Sequence, residues 1–402
     1  MRNRDRGQIS TLSETTVSQQ SLAMRTALPL CLAPVLVFYV LALCLSAQVL
    51  RAEVTLLPAA TDPAQGGREM VIYSSLDAGL AVPLLQAFQA GHPGLAIRYE
   101  DLLTGEIHDR IVAESDAADH RPTADFVFSS AMDLQIKLVN DGYGRVVITP
   151  DTAGWPDWAM WRETAYALTY EPAVFAWHKP SFAGHKPPAT RADLLRWLEE
   201  HPDEARGRIG TYDITRSGVG YLFLARDQDL FPGIWEVIAA MGQSGVQQYP
   251  TSGELLERIS TGEIAVGYNL LGSYVAEWAR QNPETVGMTL PQDFTVVVSR
   301  VALVPREAAN PDLGEALLAW LMSPEGQKRL SQTLRLPAVS LGVGARETSS
   351  GALNDLTGLR LKPVPVGPGL LAYLDHATRQ RLFARWTAAM GGDAAPAEAD
   401  AP

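Results

Sequence analysis

The chain has 402 residues, 47% of them hydrophobic and 19% charged, so it can bury large cores and is globular in bulk. A formal charge of −12 leaves no broad basic face, which argues against nucleic-acid binding. The length suggests two or three domains.

Residues 27–50 carry no charge, follow Met24-Arg25 and end near Leu50-Arg51-Ala52-Glu53. This reads as a secretory signal over residues 1–52. About 20 apolar residues also suffice to span a bilayer, so a membrane-anchored form is the alternative. Both cysteines, Cys31 and Cys44, lie here, and the bulky Leu43 argues against lipidation at Cys44. A mature chain starting near Glu53 has no disulfide, cysteine metal site or thiol nucleophile. Losing five arginines against one Asp and one Glu takes its charge from −12 to −15.

Residues 53–68 read as a polar lead-in. Glu69–Tyr73 is a short apolar run suited to a buried strand. Ser74-Ser-Leu-Asp77 follows, and Leu80, Leu84, Leu85 and Phe88 recur at helical spacing. The helix stops at Gly91-His-Pro-Gly94 and residues 95–99 form the next strand, which makes one βαβ unit of a parallel sheet. Ligands of such sheets sit beyond the carboxyl ends of the strands, where helix N-termini point. A helix over 106–114 follows, with Thr104 as cap. The strand 125–130 ends in Ser129-Ser130 before a helix over 132–139. Each of these Ser and Thr residues is an ordinary N-cap when taken alone. Their convergence at one sheet edge makes Ser74, Ser75, Thr104, Ser129 and Ser130 binding candidates.

Trp155, Trp158 and Trp161 suit stacking on a sugar or a base, but buried aromatic packing is favoured. Residues 165–178 are rich in strand formers and are expected to hold crossing strands. A helix over 191–200 is capped by Thr190. The pattern then restarts. A strand over 207–212 leads into the loop 213–220 and another helix, which predicts a second α/β lobe. In that loop Ser217-Gly-Val-Gly220 offers backbone N–H groups at a helix start, and Arg216 adds a planar fork suited to phosphate or carboxylate. An ordinary Gly-rich turn with a surface arginine fits the same residues. The loop lacks the spacing of a P-loop or a dinucleotide fingerprint. A helix over 253–260 opens at Ser252, and the strand 264–268 ends at Tyr268-Asn269, a phenol and an amide. Residues 294–304 form a long β-branched strand that returns the chain to the first lobe. Asn310-Pro311 and Ser323-Pro324 each start a helix. A last amphipathic helix covers about 370–390, and residues 391–402 are expected to be disordered.

No Gly-x-Ser-x-Gly elbow or His-Glu-x-x-His motif occurs, and the seven histidines are scattered. The chain is therefore expected not to be an enzyme and to need no cofactor. Tyr73-Ser-Ser-Leu-Asp77, the 125–133 segment, Gly262-Glu-Ile-Ala-Val-Gly-Tyr268 and Leu321-Met-Ser-Pro-Glu-Gly-Gln327 occur in that order. Together they resemble the periplasmic solute-binding proteins of ATP-binding-cassette importers. The similarity is to the ferric-ion-binding branch, which also includes binders of phosphorylated sugars and phosphoglycerates.

The resemblance implies a type II periplasmic-binding-protein fold: two α/β lobes, each a mainly parallel sheet flanked by helices, with a two-strand hinge. The lobes would be 69–165 with a return over 299–345, and 166–298; a helical segment over 346–390 follows. Carried over residue by residue, it places the ligand against Ser74, Ser75, Ser129, Ser130, Arg216, Ser217, Gly218 and Tyr268, with Thr104 and Asn269 beside them. Ferric binders of this branch show two adjacent tyrosines where this chain has Tyr268-Asn269, and often a histidine in the first-strand loop. The expectation is therefore a monomeric receptor for a small anionic, phosphorylated organic solute. It would deliver that solute to a membrane permease and its ATPase. A ferric-ion receptor with Tyr268 as ligand, or a periplasmic sensor subunit, are the alternatives.

Overall fold

The computed structural model describes residues 53–60, 67–117, 123–335, 339 and 360–391. The signal expected over 1–52 and the tail beyond Gly391 lie outside them. Chain order gives strands β1 (Glu53–Leu57), β2 (Arg68–Ser74), β3 (Leu95–Asp101), β4 (Phe126–Ser129), β5 (Met160–Trp161), β6 (Ala165–Ala167) and β7 (Glu171–His178). These are followed by β8 (Ile209–Tyr212), β9 (Gln247–Tyr249), β10 (Val266–Leu271), β11 (Val286–Thr289), β12 (Thr295–Val298), β13 (Val301–Leu303) and β14 (Leu361–Pro363).

Two sheets result. The first runs β1-β3-β2-β4-β13-β6-β5 and the second β14-β12-β7-β10-β8-β9, with β11 also on β7. Each sheet holds a parallel trio, β3-β2-β4 and β10-β8-β9, because helices cross over between those strands. Most of the remaining neighbours are antiparallel, so the sheets are mixed rather than mainly parallel. The chain leaves the first sheet after Ala167 and returns to it at Val301, so two segments, 168–170 and 299–300, join the lobes.

The helix Ala78–Gln89 buries Leu84, Leu85 and Phe88 as its spacing predicts, with Ala81 in place of Leu80, which is half-buried. The helices Pro311–Met322 and Pro324–Leu334 start on proline, and the Ser323 hydroxyl caps the second by accepting from Gly326 N.

Three elements depart from expectation. The polar lead-in contains β1, which pairs antiparallel with β3 and closes that edge of the sheet with Leu57 turned inward and Leu56 exposed. The run 294–304 is two strands in different sheets, divided at Ser299-Arg300 because Arg300 is wholly buried beside Glu171. The last helix is His376–Ala389, capped by Asp375 and preceded by a 3₁₀ segment, Pro368–Leu374. That C-terminal segment touches both lobes. Its 3₁₀ part packs on the helix Met132–Asn140 of the first, and Leu382 and Trp386 enter the core of the second.

Candidate functional site

The carboxyl ends of the parallel strands of both lobes face one cleft. Its walls carry Ser75, Asp77, Asp101, Thr104 and Ser130 from the first lobe and Tyr212, Ser217, Thr251, Ser252 and Tyr274 from the second. Among the described residues no Lys, Arg or His lines it, and about 60 Å³ of space remains between the walls. Five helices begin here, at Ala78, Thr104, Gly218, Ser252 and Gly272, so the partial positive charge of five N-termini lies at the cleft.

At the cleft, side chains and backbone of the two lobes are hydrogen-bonded to each other at two points. Gly218 N, in the first turn of the helix Gly218–Leu230, donates to Thr104 Oγ1 at 2.8 Å. A Cβ on Gly218 would lie 2.9 Å from Thr104 Oγ1 and from Ala131 Cβ, so only glycine permits this approach. At the other point the Tyr274 hydroxyl donates to Asp77 Oδ1 at 2.8 Å and accepts from Asp77 N at 3.0 Å.

Asp77 sits at the N-cap of the helix Ala78–Gln89, and Asp101 Oδ2 accepts from Ala78 N at 3.3 Å. Burial raises the pKa of both carboxyls. For Asp101 the Asp77 charge adds to it and the value reaches about 7, while the Tyr274 hydroxyl and Arg300 moderate the rise at Asp77. Burial, and then the Asp77 charge, likewise keeps the Tyr274 phenol protonated.

The expected site residues divide into three groups. Ser75, Thr104, Ser130 and Ser217 line the cleft, and Gly218 stands at its rim. Ser75 Oγ accepts from Ser130 N at 3.2 Å, which ties the first and third strand ends together. Ser217 Oγ caps its helix by accepting from Gly220 N. Ser74 and Ser129 are buried behind these. Ser74 Oγ donates to Phe128 O and accepts from Leu76 N, and Ser129 Oγ accepts from Ala131 N, so both are structural. Thr104 does not cap its helix, which begins at Thr104 itself, and its hydroxyl serves the interlobe bond instead.

Arg216, Tyr268 and Asn269 are not brought to the cleft. Arg216 is exposed, because the turn that caps the helix at Ser217 points it outward. The Tyr268 hydroxyl donates to Asp227 Oδ2 at 2.6 Å and accepts from Arg191 Nε at 3.0 Å, inside the second lobe. Arg191 completes that network with Asp227 Oδ1 and Asp293 Oδ1, and burial holds the Tyr268 pKa well above its usual value. Asn269 has φ 57° at an irregularity in β10 and donates to the same Asp227 carboxylate. Among the described residues no group of three His, Cys, Asp or Glu side chains is placed to hold a metal ion.

Asp77, Asp101, Tyr212, Thr251, Ser252 and Tyr274 were not singled out by the sequence. Asp77 and Asp101 could have been, since both follow parallel strands and precede helices, where only hydroxyls were sought. Tyr274 lies in the first turn after Gly272-Ser273, with no pattern to distinguish it.

The family model for bacterial extracellular solute-binding proteins matches residues 84–352. The crystal structure of the substrate-binding protein of an ABC transporter from Agrobacterium tumefaciens is 53% identical. It covers 84% of this chain and 98% of its own, with a TM-score of 0.80. The chain belongs to this family. It is a solute-binding protein of the ABC-transporter kind, and such receptors are not enzymes.

Two more distant structures share the fold. The periplasmic binding protein AfuA from Actinobacillus pleuropneumoniae, with fructose-6-phosphate bound, is 17% identical over 81% of this chain and 99% of its own, TM-score 0.64. Iron-bound HitA from Pseudomonas aeruginosa is 16% identical over 80% and 99%, TM-score 0.62. Among curated proteins none matches. No helix among the described residues is long and apolar enough to cross a membrane.

Proposed function

We propose that this solute-binding protein captures a small phosphorylated organic solute that also carries hydroxyl or amino groups. In this reading it acts in the periplasm, exported by its N-terminal segment, and hands the solute to a membrane permease driven by an ATPase. The observation that carries it is the mixed lining of the cleft. Asp77 and Asp101 offer acceptors that need hydrogen-bond donors, and the helix starts at Thr104 and Gly218 offer backbone N–H groups. A phosphate at those helix starts meets backbone N–H groups and the Thr104 and Ser217 hydroxyls, and among the described residues no cationic side chain lines the cleft. The donor-rich end of the solute then meets the two carboxylates and Tyr274. The sugar phosphate bound to AfuA agrees with this chemistry.

Iron fits the cleft less well. Fe(III) wants phenolate and carboxylate oxygens, and Asp77, Asp101, Tyr212 and Tyr274 line the cleft. Burial, however, keeps both phenols protonated, and they are bonded to Ser252 and Asp77. Tyr268 is committed to Asp227 and Arg191 away from the cleft.

A thermal-shift panel tests the proposal. Ligand-stripped protein is heated with sugar phosphates, phosphoglycerates, the same compounds without phosphate, inorganic phosphate, and ferric citrate. A ligand at a hundred times its dissociation constant adds about 2.7 kcal/mol and raises the melt by several degrees. A shift with an organic phosphate, absent from its dephosphorylated form, is expected. Shifts confined to uncharged sugars or to ferric citrate overturn the proposal.

A further inference from the structure

The segments that join the lobes carry a buried ion pair that ligand recognition does not use. Arg300 on the returning segment and Glu171 at the start of β7 are both fully buried, with Arg300 Nε 2.8 Å from Glu171 Oε1. Around them the two segments bond to each other, Leu168 N donating to Arg300 O and Arg300 N to Thr169 Oγ1.

The pair also reaches into both cleft walls. Arg300 Nη1 donates to the Ser75 carbonyl at 3.1 Å, in the first-lobe loop that lines the cleft. Glu171 Oε2 accepts from Ser273 Oγ at 2.7 Å, in the first turn of the second-lobe helix Gly272–Gln281. The guanidinium lies 5.6 Å from the ring of Tyr274, the residue that bonds to Asp77 across the cleft. Replacing a buried ion pair by uncharged groups of similar size is often neutral for stability, so fold stability alone does not account for it.

We infer that the Arg300–Glu171 pair is a hinge latch that positions Ser75 and Ser273–Tyr274 for closure and thereby sets the balance between open and closed lobes. When the lobes part, Ser75 moves away from Tyr274, and Arg300 cannot keep both the Ser75 carbonyl and Glu171 in reach. Closure restores the full set, so the pair biases the receptor toward the closed form. This inference rests on the receptor reading only in taking lobe closure as the working step.

The test reads ligand-free protein and therefore does not depend on the identity of the solute. Arg300→Gln/Glu171→Gln removes both charges together and leaves no lone buried charge. Hydrogen exchange is followed at the Gly218 and Asp77 amides, which bond across the cleft, and at Ile97 and Val266 in the two sheets. The expected result is exchange about tenfold faster at the two cleft amides with the sheet amides unchanged. Unchanged exchange at all four overturns the latch. Equal acceleration at all four also overturns it, because that marks general support of the fold. Should the double variant not fold, Ser273→Ala removes one bond to Glu171 and carries the same comparison, with about twofold to threefold acceleration expected. A responsive hinge with no binder in the thermal-shift panel would sink the solute assignment and leave the latch standing.

Discussion

Gly218→Ala separates closure of the receptor from stability of its fold. The added methyl would sit 2.9 Å from Thr104 Oγ1, 2.9 Å from Ala131 Cβ and 3.3 Å from Leu134 Cδ1, all on the opposite lobe. Ordinary contact begins near 3.4 Å, so the first-lobe wall must recede by several tenths of an ångström. Overpacking of this kind costs about 1–3 kcal/mol. Stretching the 2.8 Å bond from Gly218 N to Thr104 costs about 0.5–1.5 kcal/mol more. The sum falls on the closed form alone, so solute affinity is expected to drop about tenfold to a thousandfold. Within the second lobe the change is benign. Residue 218 occupies the first turn of a helix, where alanine is favoured over glycine by up to about 1 kcal/mol. Ligand-free protein escapes the clash by opening and loses only its bias towards closure, so its melt should move by a few degrees at most. Affinity, measured by titration calorimetry with the solute that shifts the wild-type melt, should fall. Affinity within threefold of wild type would refute the reasoning, because the lobes would then not need this approach to hold the solute.

Arg216→Ala should leave affinity within about twofold, since an exposed charge outside the cleft adds little; a large loss by calorimetry would place the guanidinium on the solute after all. Tyr268→Phe removes the phenol shared by Arg191 and Asp227, and is expected to cost about 1–3 kcal/mol in urea unfolding while solute affinity is unchanged. Burial raises the Asp133 pKa to about 7, and its Oδ2 has no partner. With the folded value above the unfolded one, Asp133 stays protonated without penalty at low pH and lowers stability as pH rises from about 4 towards 7. Asp133→Asn keeps the acceptor for Leu134 N, so its melting temperature should exceed that of wild type at pH 8 and converge on it near pH 4. Parallel melting curves across that range would contradict the assignment.

The fold was legible wherever one residue pattern had one structural solution. The run 69–73 followed by leucines at helical spacing could only be a strand and a helix, and Leu84, Leu85 and Phe88 lie in the core where that periodicity puts them, although Ala81 rather than Leu80 opens the buried face. Two proline-led helices were readable from Asn310-Pro311 and Ser323-Pro324 because proline fixes the first turn. What local pattern does not encode was missed. Residues 294–304 are uniformly β-forming, and nothing local says that Arg300 finds its carboxylate 129 positions earlier in Glu171, which divides the run between two sheets.

The site shows the same limit more sharply. Backbone position at a strand end is a local property, so Ser75, Thr104, Ser130 and Ser217 could be placed beside the cleft that they line. Side-chain direction is settled by tertiary partners. The strand expected to end at Tyr268 runs on to Leu271, so Tyr268 and Asn269 lie inside it and turn to Asp227, where a buried arginine and carboxylate take up their polar groups. Arg216 shows the converse: its charge suggested an anion receptor, yet a surface turn gives it no reason to desolvate. The polarity of the cleft thus comes from two carboxylates and several helix starts, groups that a search for cations and hydroxyls passes over. For that reason the solute's donor groups, rather than its charge alone, should decide which molecule closes the lobes.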